Sequence, residues 1–253
     1  RGSLMTGSEL CVSVRGVGKK FARSLKRSFV YGARAENPAL IREGTQLPPR
    51  ASLGWLRDKV EAEEHAASFA KRYPEMAVRV LRFAPLLGPY VRTFYTRILD
   101  RRLVPTLMGY DPLLQLLHPD DAEEALLRAT FSNARGAFNI TPRGVLPLAT
   151  GIHLSGKVPA PVPHLAAYLA VDALYAAGIV EAPSGFIDYV RYPCVADGEK
   201  AKRDLDFVAK YSSREALDSY IAYRHPARET TNAEPETDNV AEEAAGNAAE
   251  GLR

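Results

Sequence analysis

The segment GWLRDK, residues 54–59, contains the two side chains whose types and spacing most clearly suggest chemistry. Trp55 and Lys59 are four positions apart, so on a helix they would share one face. A tyrosine in the place of Trp55 could act as a general acid or base, because a nearby cation lowers the pKa of a phenol. An indole N–H donates a hydrogen bond but does not titrate usefully. The pair therefore offers a candidate catalytic cation without a titratable partner.

The composition is that of an ordinary globular protein with a substantial core. The chain has 253 residues, of which 46% are hydrophobic, enough for one large domain or two modest ones. It has no run of about 18 apolar residues and no signal-peptide pattern, so we expect no membrane span and a cytoplasmic location. Cys11 and Cys194 are its two cysteines and neither has metal-ligand neighbours. We therefore predict no disulfide and no metal site.

Charge is distributed unevenly along the chain. The formal net charge is +3, but the early segment VRGVGKKFARSLKRS is basic. Its few aromatic residues and its lack of nucleic-acid-binding motifs favour a solvated basic face over a nucleic-acid-binding site. Residues 225–253 are acidic, rich in Ala, Glu, Asn and Thr, and almost free of large apolar side chains. Such a composition predicts a disordered tail.

Strand and helix patterns alternate through the middle of the chain. A helix is predicted from about Gly54 to Arg72, followed by a buried parallel strand in AVRVLRFAPLLGP and an amphipathic helix in YVRTFYTRILDRR. PLLQLLHPDDAEEALLRATFS predicts a strand and then a helix whose first turn carries Asp120 and Asp121, which suits the helix dipole. GAFNIT predicts another short strand.

The patterns that follow are mainly helical. LATGIHLSG and PHLAAYLAVDALYAAG predict apolar helices, and SGFIDYVRYPCVADGEKAKRDLDF predicts a mixture of helix and strand. Ser212 and Glu215 form a capping-box pattern at the start of a last helix. This order predicts an α/β fold with a mainly parallel sheet, followed by a smaller helical region.

Six segments occur in an order typical of one family: VYGA, WLRDKVEAEE, LRFAPLLGP, LLHPDDAEEAL, GAFNIT and RDLDFVAKYSSREALDSYI. Over about residues 28–224 the chain resembles the NAD-dependent epimerase/dehydratase branch of the extended short-chain dehydrogenase/reductase superfamily. The resemblance implies a Rossmann-like domain with NAD or NADP as cofactor, a smaller C-terminal substrate domain, a small-molecule substrate, and a homodimer as one assembly.

The resemblance also divides the chain and assigns it site residues. Residues 1–27 would be an altered basic lead-in, 28–140 a partial NAD(P)-binding domain, 141–224 the substrate-domain elements, and 225–253 the tail. Lys59 matches the family lysine that binds the nicotinamide ribose, and Trp55 stands at the family tyrosine position. The family places a serine or threonine about three residues before the valine of VYGA, where its hydroxyl binds the reacting oxygen. Counting back three residues from Val30 reaches Arg27, and Ser28, one residue later, is the candidate hydroxyl. The alternative is that Trp55 packs and Lys59 is a solvated helix residue.

Further cofactor-binding positions follow from the same resemblance. Tyr31 belongs to the VYGA segment, and Phe83, Ala84 and Pro85 would face the nicotinamide together with Lys59. The alternative interpretation of LRFAPLLGP is an ordinary buried strand and turn, which its apolar content alone would explain.

The glycine-rich turn that the family uses to bind the dinucleotide pyrophosphate has no clear match. Gly16 and Gly18 are the only candidates in RGVGKKFARS, and basic coil is the favoured interpretation of that segment. We therefore expect the sheet to be incomplete at its N-terminal side. The strand in AVRVLRFAPLL would then have an exposed edge, which predicts marginal stability or self-association.

Two functions from different classes compete. One is an NAD(P)-dependent oxidoreductase or epimerase acting on a sugar nucleotide or another alcohol or ketone, which the ordered motifs and Lys59 favour. The other is a catalytically inactive family member that serves as a binding or interaction module, which Trp55, Arg27 and the missing glycine turn favour. A basic binder of nucleic acid or membranes depends on the N-terminal charge alone and is the weakest hypothesis.

Overall fold

The computed structural model describes residues 9–16, 19–26, 30–48, 54–179 and 184–224; for residues 9–26 and for Trp55 it is the backbone that is described. The strands are β1 (Glu9–Gly16), β2 (Lys19–Lys26), β3 (Ala77–Phe83), β4 (Leu103–Leu107), β5 (Leu113–Leu114), β6 (Gly136–Ile140), β7 (Leu146–Pro147) and β8 (Val158–Val162). The helices are α1 (Gly54–Arg72), α2 (Phe94–Leu99), α3 (Pro119–Phe131), α4 (Leu148–Leu154), α5 (His164–Ala176), α6 (Glu199–Leu205) and α7 (Ser213–Arg224), with a 3₁₀ helix at Ser184–Val190.

The main sheet has four strands in the order β2-β1-β3-β6. β3 and β6 are parallel, whereas β1 pairs antiparallel with both β2 and β3. All seven residues of β3 are buried, as expected for a central strand covered on both faces. Helices α1 and α3 pack against this sheet. The predicted α/β class is confirmed.

The N-terminal strands correct two expectations. Residues 9–16 and 19–26 form an antiparallel strand pair where basic coil was favoured, and β1 covers the edge of β3 that was expected to be open. The segment LCVSVR alternates apolar and polar residues, which is the pattern of a strand with one buried face. The lysines and arginines of β2 suit an outer strand, because charge discourages further pairing.

Helix α1 has the bounds that the sequence predicted. Leu56 and Val60, four residues apart, are buried and place one face of the helix in the core. Lys71 and Arg72 lie in its last turn, where positive charge complements the helix dipole. The apolar spacing and the charges of this segment are therefore enough to predict the helix from sequence.

The second region is built around two small sheets. β4 and β8 are parallel, β5 and β7 are antiparallel, and α4 and α7 contribute to the same apolar core. The helix predicted in YVRTFYTRILDRR is only the six residues of α2, and β4 follows it. The sequence does not predict β4 and β8, because they contain prolines at 105, 159 and 161 and proline is disfavoured inside strands.

Helix α7 begins with the predicted capping box. The Ser212 backbone N–H donates to Glu215 Oε2 at 2.6 Å, and the Glu215 N–H donates to Ser212 Oγ at 3.2 Å. The acidic start of α3 is also confirmed, with His118 as its N-cap and Asp120 and Asp121 in its first turn. The carboxylate of Asp121 accepts the backbone N–H groups of Lys210 and Tyr211 at 2.8 and 3.0 Å, which ties the segment before α7 to α3.

Candidate functional site

A buried ion pair joins α1 to β3 at the centre of the candidate site. Arg82 Nη2 lies 2.5 Å from Glu63 Oε2, and Arg82 Nε also donates to both oxygens of that carboxylate. The two residues are 8% and 7% exposed. Burying the Arg82 guanidinium would by itself lower its pKa, but the hydrogen bonds and charge of Glu63 outweigh that effect and raise it. Arg82 therefore keeps its positive charge, and its hydrogen bonds to Glu63 fix α1 on the sheet.

Arg82 extends this pair into a larger polar network. Its Nη1 donates to the hydroxyl of Tyr31 at 2.6 Å and to the carbonyl of Glu43 at 3.0 Å. The Tyr31 hydroxyl in turn donates to Asn139 Oδ1 at 2.7 Å, and the Asn139 N–H donates to Glu43 Oε1 at 2.8 Å. The network links α1, β3, β6 and the segment 30–48, and we call these five residues (Tyr31, Glu43, Glu63, Arg82 and Asn139) the buried network.

Tyr31, predicted to contact a cofactor, is fully buried in the buried network. Burial raises the pKa of its phenol to about 12, even though Arg82 acts in the opposite direction. At neutral pH the phenol therefore stays protonated and is used as a hydrogen-bond bridge between Arg82 and Asn139. It cannot replace the acid/base tyrosine that Trp55 does not supply.

Lys59 lies one helical turn before Glu63, on the face of α1 that is turned to the core. It is only 4% exposed, so the interpretation of Lys59 as a solvated helix residue is wrong. A buried lysine is uncommon in proteins. Trp55 lies in the first turn of α1, but its side chain is outside the described part, and Ser28 is outside the described residues.

Phe83, Ala84 and Pro85 lie at the carboxyl end of β3, as predicted for a cofactor-facing segment. Their backbone groups already have protein partners. The Ala84 N–H donates to the Ile140 carbonyl at 2.9 Å, and the Pro85 carbonyl accepts the Leu117 N–H at 2.8 Å. Those two hydrogen-bonding groups are therefore not available to a ligand, and Phe83 and Ala84 are only 4% and 1% exposed.

A small cavity begins beside Pro85 and extends into the second region. It is lined by Pro85, Tyr95, Leu113, Leu114, Gln115, Tyr189, Tyr192 and Cys194, and its volume is ≈ 10 Å³. A space of that size holds about one water molecule. Burial raises the pKa of the Cys194 thiol to about 12, so this cysteine is not a nucleophile at neutral pH.

The family resemblance assigns described residues only to the nicotinamide side of the dinucleotide, namely Lys59 and the carboxyl end of β3. A pyrophosphate needs glycines at a helix N-terminus next to a parallel strand. In the described part of the chain, α3 packs against β3 but opens with Asp120 and Asp121, whose charges repel phosphate, and α6 packs against β6 but opens with Glu199. No pyrophosphate-binding turn is therefore found in the described ranges.

The sequence had not indicated the residues that organise this site. Glu63, Arg82 and Asn139 lie on three separate elements, and they meet only through sheet pairing and helix packing. The one signal available was a charged residue inside an otherwise apolar strand pattern, which Arg82 provides in VRVLRFAP. A buried charge in such a pattern must find a partner.

Comparison with known proteins gives relatives of unestablished function. No family model matches the chain. Uncharacterized proteins of Mycobacterium tuberculosis and Mycobacterium bovis are 34% identical to it over 198 residues, which are 78% of this chain and 52% of theirs. The chain thus spans about half the length of the curated relatives that it matches.

Solved structures identify the fold more sharply. A dTDP-glucose 4,6-dehydratase of Bacillus anthracis in complex with NAD has a TM-score of 0.58 and 17% identity, covering 79% of this chain and 60% of its own. A UDP-glucose 4-epimerase of Thermotoga maritima with UDP-glucose has a TM-score of 0.57 and 19% identity, covering 79% and 62%. These likenesses establish the Rossmann-like fold class that the sequence predicted.

Two further features are absent from the described residues. Within these ranges, no helix combines the length and the apolar content needed to cross a bilayer. The same residues contain no group of three or more His, Cys, Asp or Glu side chains placed to hold a metal ion.

Proposed function

We propose that the chain is a member of the NAD-dependent epimerase/dehydratase family and forms the nicotinamide-side and substrate-side part of an NAD(P)-dependent oxidoreductase or epimerase. Its substrate would be a sugar nucleotide or another alcohol or ketone. The observation that carries the proposal is the burial of Lys59 on the core face of α1, in a fold shared with sugar-nucleotide epimerases and dehydratases. The pyrophosphate-binding part would lie outside the described residues.

Each residue has a definite task under this proposal. Lys59 would bind a ribose hydroxyl through its ammonium group, while Phe83, Ala84 and Pro85 would form an apolar surface beneath a planar ring. Ser28 would hydrogen-bond the reacting oxygen of the substrate. Trp55 can donate one hydrogen bond but can neither accept nor release a proton there. A proton transfer would therefore need another group of the chain or a water molecule.

Cofactor titration followed by fluorescence tests the proposal, because Trp55 is the single tryptophan of the chain. We expect a saturable change with NAD(H) or NADP(H), and an affinity at least about ten-fold lower in Lys59→Met, a loss of about 1.4 kcal/mol. Lys71→Met is the matched control, because Lys71 is exposed on the same helix. No fluorescence change at millimolar cofactor, or equal losses in both variants, would contradict the proposal.

A second candidate function is a binding module without hydride chemistry. The specific observation in its favour is that neither Trp55 nor the buried phenol of Tyr31 can act as the acid or base at neutral pH. This candidate predicts no turnover of a sugar-nucleotide panel by the native chain or by Trp55→Tyr. Turnover that appears in Trp55→Tyr would exclude it and support the enzyme.

A further inference from the structure

Tyr95 is a buried tyrosine in the second position of α2, and it is only 7% exposed. Among the described residues, none forms a hydrogen bond with the Tyr95 hydroxyl. Two other buried phenols do have an acceptor, since the Tyr31 hydroxyl donates to Asn139 and the Tyr220 hydroxyl donates to Asp100, each at 2.7 Å. Tyr95 therefore differs from them in having its hydrogen-bonding capacity unused by the protein.

A buried hydroxyl without a hydrogen bond is unfavourable for folding. Phenylalanine would fill the same space at position 95 without that penalty, so packing alone does not account for a tyrosine there. Burial raises the pKa of the Tyr95 phenol, and the neighbouring Cys194 acts in the same direction. The hydroxyl therefore keeps its proton at neutral pH and is available as a hydrogen-bond donor.

The Tyr95 hydroxyl faces the cavity beside Pro85, which we call the Pro85 cavity. Tyr95 lines this cavity and also a second one, whose wall is entirely apolar. A hydroxyl that faced the second cavity would make its wall partly polar. Cys194, the electrostatic neighbour of the hydroxyl, lines the Pro85 cavity and not the second one. Both observations place the phenol oxygen at the Pro85 cavity.

Two other polar side chains of the cavity wall are already hydrogen-bonded. Gln115 Oε1 accepts the Ala196 N–H at 2.8 Å, and Gln115 Nε2 donates to the Ala196 carbonyl at 2.9 Å. The Cys194 thiol donates to the Gly32 carbonyl at 3.7 Å. None of the described residues that line the cavity is Asp, Glu, Lys, Arg or His. Tyr95 therefore supplies a donor to a cavity whose wall carries no charge.

The size of the Pro85 cavity limits what can enter it. Its volume of ≈ 10 Å³ takes about one water molecule, and hence one hydroxyl or carbonyl oxygen. A carboxylate or phosphate group is larger and would bring a negative charge against a wall without a cation. Leu113 is 40% exposed and Tyr192 is partly exposed, so the wall reaches the protein surface on that side. A ligand can therefore insert one uncharged oxygen from solvent.

The position of Tyr95 is fixed at both ends of α2. At the start of the helix, Thr93 and Thr96 form a capping box in which the Thr93 N–H donates to Thr96 Oγ1 at 2.8 Å. After its end, Asp100 accepts the Tyr220 hydroxyl of α7 at 2.7 Å. A donor on a fixed element binds its acceptor with little loss of conformational entropy.

We propose that Tyr95 is a substrate-binding residue, whose hydroxyl donates a hydrogen bond to one uncharged hydroxyl or carbonyl oxygen of the substrate inside the Pro85 cavity. This role rests on the proposed function, because Pro85 belongs to the segment that the family resemblance places beside the nicotinamide. For a sugar nucleotide, the oxygen belongs to the sugar and not to the nucleoside or the phosphate groups. A ligand without that oxygen leaves the buried donor unpaired and binds more weakly.

Isothermal titration calorimetry of the full chain tests this role, with UDP-glucose and UDP as probes in the presence of NAD. Both probes carry the nucleotide, but only UDP-glucose carries the sugar. Tyr95→Phe removes the hydroxyl alone, and we expect it to weaken UDP-glucose binding at least about ten-fold while UDP and NAD binding stay unchanged. Tyr220→Phe is the matched control, because its hydroxyl is bonded to Asp100, and we expect it to bind both probes with native affinity.

Urea denaturation gives a readout that does not depend on a ligand. Tyr95→Phe loses no hydrogen bond within the protein, so its urea midpoint should equal or exceed that of the native chain. Tyr220→Phe loses its bond to Asp100, and its midpoint should fall. If the midpoint of Tyr95→Phe falls as far as that of Tyr220→Phe, the Tyr95 hydroxyl has a structural partner and the proposal is overturned.

The binding results separate the role of Tyr95 from the proposed function. If the native chain binds NAD and UDP-glucose and Tyr95→Phe binds UDP-glucose equally well, the role of Tyr95 is overturned and the proposed function stands. Equal losses for UDP-glucose and UDP also overturn the role, because the oxygen then does not belong to the sugar. A native chain that binds NAD but not UDP-glucose overturns it too. A native chain that does not bind NAD removes the proposed function together with this role.

Discussion

The buried network and helix α5 differ in how completely their groups are partnered. In the buried network, Arg82 makes hydrogen bonds to Glu63, to the Tyr31 hydroxyl and to the Glu43 carbonyl, all inside the protein. On α5, by contrast, Leu165 and Leu169 are 66% and 64% exposed to solvent. Buried charges are tolerated only when they are paired, whereas exposed leucines cost little in a monomer.

This difference teaches that the two regions have different tasks. Polar groups that satisfy one another have no capacity left for a ligand, so the buried network positions α1 and Lys59 on the sheet and does no chemistry itself. Unpartnered apolar surface has the opposite property, because covering it releases free energy. Substitutions in the buried network should therefore change the free energy of unfolding most, and substitutions at the exposed leucines of α5 should change it least.

The largest expected effect follows from breaking the buried ion pair. Glu63→Leu leaves the Arg82 guanidinium buried without its carboxylate, and we expect the free energy of unfolding to fall by about 3–5 kcal/mol. The double variant Glu63→Leu/Arg82→Met should lose less, because no uncompensated charge remains. Urea denaturation at neutral pH measures both.

An exposed ion pair gives the control for that experiment. Arg214 and Asp218 are paired on α7 with side chains 52% and 49% exposed, and Arg214→Ala should cost less than about 1 kcal/mol. Equal losses for Arg214→Ala and Glu63→Leu would mean that the buried network is not the structural centre that we infer.

A smaller loss is expected at the turn after β3. A Cβ atom on Gly88 would lie 2.5 Å from Cδ of Pro119, a ring that cannot rotate away. Gly88→Ala should therefore destabilise the protein by about 1–3 kcal/mol through overpacking. Gly44→Ala is the control, since a Cβ there meets nothing within 4 Å. Thermal unfolding of both variants decides the matter, and a neutral Gly88→Ala would refute the close packing of this turn.

Alkaline pH should destabilise the first region and the adjoining cavity. Burial raises the pKa of Cys194 from 9.0 to about 12 and that of Tyr31 from 10.0 to about 12. A raised folded-state pKa contributes stability that is complete below the unfolded-state value and is lost as the pH rises toward the folded-state value. Between about pH 8 and pH 11 the free energy of unfolding should thus fall by more than about 1 kcal/mol.

A series of urea midpoints across that pH range measures the effect. Cys194→Ala removes one of the titrating groups and should reduce the pH dependence without abolishing it. A midpoint that stays constant from about pH 8 to pH 11 would show that these groups titrate alike in the folded and unfolded chain.

The sequence predicted elements that local signals determine. Gly54–Arg72 has apolar residues at helical spacing, and Ser212 with Glu215 gives a capping box, so both were placed correctly. It could not predict that β1 pairs with β3, because that pairing joins residues more than 60 positions apart. The burial of Lys59 and the Arg82–Glu63 pair depend on the same packing, so the candidate site was only partly foreseen.

The smallest effect on the folded monomer is expected at Leu169. Its side chain is 64% exposed, so Leu169→Ala removes little buried apolar surface and should change the monomer's free energy of unfolding by less than about 0.5 kcal/mol. Urea denaturation measures the change. A large loss in Leu169→Ala would show that this leucine belongs to the monomer's core and that the two regions do not differ as we infer.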